Sequence, residues 1–217
     1  MKKHLFAGLA TGLLIAGLAG GAHAADFVTK HKGTWIVAAR VTDVDPVAGD
    51  PILTSGNVDT GLNANVGSST EPTLGFSYFL TDHVAVEAIL GTTKHTVYAT
   101  NTPVASTWVL PPVVTVQYHF APDQRVSPYV GAGVNYMLFY NKRNIAPFSH
   151  FDIGNGASVA LQAGADIVIQ GPWSLNLDVK KAYFGSTAHT HLAGPGDLHA
   201  HVSLDPWVMS AGLARRF

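Results

Sequence analysis

The sequence contains no cysteine and little charge: only 12% of its 217 residues are Asp, Glu, Lys or Arg, and the formal net charge is −1. The first absence removes disulfide-stapled modules and Cys-ligated metal or redox sites. The second, with no basic surplus, removes a nucleic-acid-binding surface, so no nucleic-acid partner is expected. Beyond residue 25 no apolar run approaches the roughly 20 residues of a spanning helix, which excludes a helical membrane protein. With 47% apolar residues the chain is not a disordered one either.

What is present begins with an export pattern. Lys2, Lys3 and His4 form a basic start, Leu5 to Leu18 is an apolar run, and Ala22-His23-Ala24 reads as a cleavage site. Residues 1–24 are therefore expected to be a cleaved signal peptide and 25–217 the mature domain. Losing Lys2 and Lys3 leaves 11 basic against 14 acidic residues.

The mature chain alternates with a period of 2, so strands dominate. Trp35, Val37, Ala39 and Val41 share one face, with Arg40 and Thr42 on the other. Leu74, Phe76, Tyr78 and Leu80, then Val84, Val86, Ala88 and Leu90, form a hairpin around Thr81-Asp82-His83. The same alternation runs through 114–120, 129–140, 157–169, 174–180 and 199–217, giving eight strands. Short links near 81–83, 121–127 and 170–172 alternate with long ones near 43–70, 95–110, 141–155 and 186–198, the asymmetry of a membrane barrel with short inner turns and long external loops. Because backbone polar groups in lipid must pair internally, the fold class expected is all-β, an eight-stranded antiparallel transmembrane up-and-down β-barrel. Its lipid face carries Leu, Val and Ala. Trp35, Tyr78, Phe79, Tyr118, Phe120, Tyr129, Phe139, Tyr140, Trp173, Tyr183, Trp207 and Phe217, near strand ends, are expected to form interfacial girdles.

Leu110-Pro111-Pro112, the run PYVGAGVNY at 128–136, LDPWV at 204–208 and the terminal Arg215-Arg216-Phe217 together resemble the OmpW family of eight-stranded outer-membrane barrels, over essentially the whole mature chain. The resemblance implies an integral protein of the Gram-negative outer membrane, in contact with its lipids. It also implies a conduit or binding cleft for small hydrophobic compounds, released sideways through the wall. Phe217 resembles the signal read by the barrel-assembly machinery, although Arg215 stands where relatives carry an aromatic. Ile89 matches an apolar constriction position of the family, and Phe79, at inward parity on the adjoining strand, and Leu110 extend the expected hydrophobic path. Lys180 departs from the family, where some relatives carry an aromatic.

Arg40, Glu87, Asp166, Asp178 and Lys180 all fall at lumen parity and are expected to pair, because charges taken from water need partners, either as a structural network that plugs the barrel or as the gate of an ion path. An eight-stranded barrel is filled by its own side chains or holds one small ligand, so a wide aqueous pore is not expected. His189, His191, His199 and His201 form two H-x-H pairs that could converge on a metal across a hairpin. Ser203, His201 and Asp205 are close in sequence, but nothing orients a nucleophile, so no enzyme and no cofactor is expected. Val47, Ile52, Leu53, Val104, Val109, Leu110, Ile145 and Phe148, in the long external loops, are expected to offer hydrophobic cargo an exposed apolar binding surface; the alternative to a conduit is a structural barrel whose external loops bind a partner.

Overall fold

The computed structural model describes residues 28–193 and 196–217. The expected leader, 1–24, lies outside them. The described chain forms fifteen strand segments: β1 Trp35–Asp45, β2 Asp50–Thr54, β3 Asp59–Val66, β4 Ser69–Phe79, β5 Val84–Gly91, β6 Thr93–Ala99, β7 Thr102–Leu110, β8 Val113–His119, β9 Val126–Asn144, β10 Phe148–Ile153, β11 Gly156–Gln170, β12 Trp173–Tyr183, β13 Gly185–Leu192, β14 Gly196–Ser203 and β15 Trp207–Arg216.

Eight of them close on themselves in the order β1-β4-β5-β8-β9-β11-β12-β15, every neighbour antiparallel. The seam joins the first strand to the last, from Ile36↔Arg216 to Asp45↔Trp207. At the end of the chain Phe217 N–H donates to Trp35 O at 2.9 Å, and Trp35 N–H donates back at 3.1 Å. Closure of these eight strands leaves no strand of the barrel without a neighbour on each side.

The alternation is realised as expected. Val41, Leu74, Leu90, Val116, Val134, Leu161 and Leu213 are exposed on the outer wall, whereas Arg40, Thr73, Glu87, Thr115, Asn135, Gln162 and Asn176 are buried in the lumen. Glycine permits the tight curvature: a Cβ on Gly133 would lie 1.9 Å from Val114 O across the β8–β9 pair. Eight of the expected girdle aromatics, Trp35, Tyr118, Phe120, Tyr140, Trp173, Tyr183, Trp207 and Phe217, are exposed. Phe79, Tyr129 and Phe139 are instead buried inside the barrel, because their parity, rather than their position near a strand end, decides the face they take. Arg215 takes a place in the inner girdle by stacking its guanidinium over Trp173, at 5.6 Å, and Phe217, at 4.7 Å.

The four long connections are not irregular loops. Three form hairpins, β2–β3, β6–β7 and β13–β14, and the fourth contributes upper β9 and β10, which pair with β7 and β13 rather than with each other, so that the connections hydrogen-bond as β10-β13-β14-β2-β3-β6-β7-β9. Polar and glycine-rich, they lack the apolar outer face of a spanning strand, yet their inward positions hold Ile52, Val97, Val104, Phe148, Phe151, Leu198 and Val202 in one buried cluster. Burying that cluster stabilises the extension of the barrel above the membrane. The apolar residues expected as an exposed loop surface thus divide: Ile52, Val104, Val109 and Phe148 line the inside, while Val47 stays exposed.

Candidate functional site

The lumen is divided into an apolar cavity above and a polar plug below. In the plug, Arg40 donates to Glu87 (Nη2 to Oε1, 2.6 Å) and to Asn176 Oδ1 (Nε, 2.6 Å). Lys180 bonds Asp178 and lies 3.3 Å from Glu87 Oε2. Gln162 Nε2 joins Glu87 (2.8 Å) to Asp178 (2.6 Å), and Tyr129 donates its hydroxyl to Asp178 at 2.8 Å. Asn176 Nδ2 carries the network down to Asp166 at 2.7 Å. All five expected lumen charges are therefore brought together, with Tyr129, Gln162 and Asn176 as neutral bridges. Neutral bridges satisfy the lone pairs that ion pairing alone would leave bare.

A sixth charge escaped the strand pattern. Lys30, in the segment before β1, is 3% exposed and donates to Asp166 at 2.7 Å and Ser127 at 2.8 Å, with His119 Nδ1 at 3.0 Å. The five charges read from strand parity hold one carboxylate too many, and that imbalance was the signal for a missing cation. Residues 28–34 cross the inner mouth as a strap, bonded to Gly171 O through Val28 N–H, to Pro122 O through Lys30 N–H and to Asp82 through Lys32 N–H. Arg216 fastens the strap by donating to Val28 O.

Phe79 is fully buried at this lower end, against His119 at 4.8 Å between ring centroids. It therefore belongs below the charges, not to the upper path expected of it: β4 runs downward, and Phe79 is its last residue.

The cavity above is partly open to solvent and is lined by Val44, Ile89, Val97, Val109, Val113, Met137, Phe139, Ile153, Leu204 and Val208 among others. Ile89 lines this cavity. Leu110 is not a lining residue; Val109 and Pro111 are, because alternation turns the half-buried Leu110 to the other side of the wall. Lys180, Asn135, Thr42, Thr73 and Ser210 form the floor. His95, in the external hairpin β6–β7, also lines the wall, hydrogen-bonded to Gly67 O at 2.7 Å and Thr93 Oγ1 at 2.8 Å. Burial holds its imidazole below the usual histidine range, so it stands neutral at pH 7.

Beside the cavity the wall is interrupted. β5 and β8 pair as far as Ile89↔Val113, and β6 and β7 resume in the same register at Thr93↔Val109. Between them, residues 90–92 face 110–112 without pairing, since Pro111 and Pro112 bring no N–H to the ladder. Gly91 and Pro111, on the two sides of this gap, both line the cavity.

The histidines do not form a metal site: among the described residues no group of three or more His, Asp or Glu is placed to hold one. Register explains the correction. His189 pairs with His199, but His191 falls opposite Asp197, to which it bonds at 2.8 Å, and His201 falls opposite Thr187. His191 and His201 thus diverge to opposite ends of the hairpin. Asp205 accepts from Phe184 N–H at 2.9 Å and Ser203 N–H donates to Asp50 at 2.7 Å, so these two are held by backbone contacts of the rim.

A model of the OmpW family matches residues 31–217. An outer-membrane protein, y4mB, of Sinorhizobium fredii is 39% identical over 79% of this chain and 78% of its own. The dibenzothiophene metabolism operon protein PahQ of Pseudomonas aeruginosa is 31% identical over 86% of this chain and 90% of its own. The crystal structure of the outer membrane protein OprG from Pseudomonas aeruginosa superposes with a TM-score of 0.82 at 25% identity, covering 88% of this chain and 99% of that one. With a closed eight-stranded barrel, a lipid-facing apolar wall and these relatives, the chain belongs to the OmpW family and is an integral protein of the outer membrane.

Proposed function

We propose that the barrel takes up small hydrophobic molecules from its outer end and passes them sideways into the membrane. The observation that carries this reading is the position of the apolar cavity, above a plug of paired charges and beside the unpaired gap at 90–92 and 110–112. Apolar cargo gains roughly 25 cal/mol per Å² of surface removed from water, and it would forfeit that gain by descending through Glu87, Arg40 and Asp178. The gap is the route with no such barrier. On this reading Leu110, half-buried and turned away from the cavity, would meet the cargo on the membrane side of the gap. That PahQ belongs by name to a dibenzothiophene operon supports cargo of this class.

The absence of native cysteine allows a direct test. Thr92→Cys with Leu110→Cys places two thiols opposite each other by continuation of the Thr93↔Val109 register. Oxidation is expected to staple the gap and abolish uptake of a hydrophobic probe into whole cells, with reduction restoring it. Ile89→Asp, a charge in the cavity wall, is expected to reduce the same uptake. Wild-type rates through a verified staple would overturn lateral release; wild-type rates in assembled Ile89→Asp would favour a barrel whose outer surface binds a partner.

A further inference from the structure

The cavity is apolar on its walls but not on its floor, and the floor presents one sign of charge. Among the described residues Lys180 is the only charged lining residue, while its two carboxylate partners, Glu87 and Asp178, lie beneath it and do not reach the cavity. The network is balanced as a whole and polarised at its upper end, with the ammonium on top. An ammonium has three N–H donors, and two are engaged by Asp178 and Glu87. The third has no partner among the described side chains.

Hydroxyl groups line the same cavity. Thr42 Oγ1 is bonded to Thr73 Oγ1 at 2.7 Å and to Ser210 Oγ at 2.9 Å, and all three residues line the same floor, as does Asn135. A chain of three hydroxyls has donors that can turn toward an incoming acceptor. Such a floor is not required to hold a hydrocarbon. Covered by one, the free donor of Lys180 would lose water and gain nothing, whereas a cationic head would meet Lys180 directly.

We propose that this cavity selects amphipathic anions, molecules with an apolar body and a carboxylate head, of which medium-chain carboxylates are the simplest, seated head-down on Lys180 with hydroxyls of Thr42, Thr73 and Ser210 as further donors to the head. The proposal rests on the cavity being the cargo site and narrows what it takes. The chain or ring of such a molecule lies along Ile89, Val109, Met137 and Phe139, level with the gap beside Gly91 and Pro111.

The test uses the protein in detergent-free lipid nanodiscs, with decanoate, methyl decanoate and decylammonium as probes and empty nanodiscs to subtract partitioning into lipid. Decanoate is expected to bind about tenfold more tightly than its methyl ester, as a charge-assisted hydrogen bond provides, and decylammonium more weakly than either. It should shift the amide resonances of Thr42 and Ser210. Lys180→Met is expected to erase the preference and Lys180→Arg to keep it. Should Lys180→Met fail to assemble, Thr42→Val with Ser210→Ala serves instead, with a reduced preference expected. Equal binding of decanoate and methyl decanoate by the wild type, or an undiminished preference in the variants, overturns the carboxylate proposal while leaving the cavity as the cargo site. If none of the probes perturbs the cavity residues of a folded barrel, the cargo-site reading falls as well, and the proposal with it.

Discussion

Lys30 and Asp166 show at the residue scale why the plug holds. Each is nearly without solvent, and each is the other's counter-charge. Removing one member of such a pair strands a buried charge, which costs about 3–5 kcal/mol, whereas removing both costs far less. Lys30→Met is therefore expected to destabilise the barrel by that amount in reversible unfolding from lipid, and Lys30→Met with Asp166→Asn to recover most of it. An additive double variant would show that the pair is not the closing contact of the network. His95 is governed by the opposite balance. Its burial disfavours the charged imidazole, so the unfolded chain binds the additional proton and the stability that neutral His95 contributes declines as pH falls below the ordinary histidine value of about 6.5. Amide exchange at Gly67 and along β6 is expected to quicken between pH 7 and pH 5, and His95→Gln is expected to flatten that dependence.

The strands translate parity into two solvents. Val134, Leu161 and Leu177 face lipid, and a Lys at any of them is expected to cost roughly 2–4 kcal/mol near the bilayer midplane. Ser158, bonded to Asn135 at inward parity one row away from Val159, is expected to tolerate substitution by Thr with a much smaller loss. Unfolding titrations of assembled Leu161→Lys and Ser158→Thr measure the contrast; equal costs would contradict the assignment of faces. The external hairpins obey the same alternation with a different outcome. Their inner positions are apolar and their outer ones polar, because outside the membrane the solvent is water and the buried cluster must lie inside the ring.

For the molecule as a whole, closure depends on one seam, and the chain ends at it. Phe217 exchanges hydrogen bonds with Trp35 and remains exposed to lipid beside Arg215. Deleting Phe217 is expected to lower the amount of heat-modifiable, assembled protein while synthesis continues, as loss of an assembly signal would. Unchanged surface abundance would place recognition by the assembly machinery elsewhere. Division of the lumen is the second property of the whole: the plug draws on β1, β5, β9, β11, β12 and the strap together, so no single strand accounts for the closed lower end.

Period-2 alternation, the spacing of short and long connections and the absence of a spanning helix were enough to determine a closed eight-stranded barrel, its lipid face and the five strand-borne charges of its plug. These are local properties: which side of a strand a residue takes depends only on its parity and on the solvent each face meets. The tertiary structure decided what depends on register and on contacts across the barrel. It placed Lys30 beside Asp166 across 136 positions of chain, sent Phe79 below the charges and Leu110 outside the cavity, and spread the four histidines along a hairpin. It also joined the four long connections into one sheet above the barrel, since each finds a pairing partner in another connection far away in the chain. Pro111 and Pro112 are visible in any reading of the chain, but a missing N–H becomes a gap beside a cavity only once closure fixes which strand would have received it.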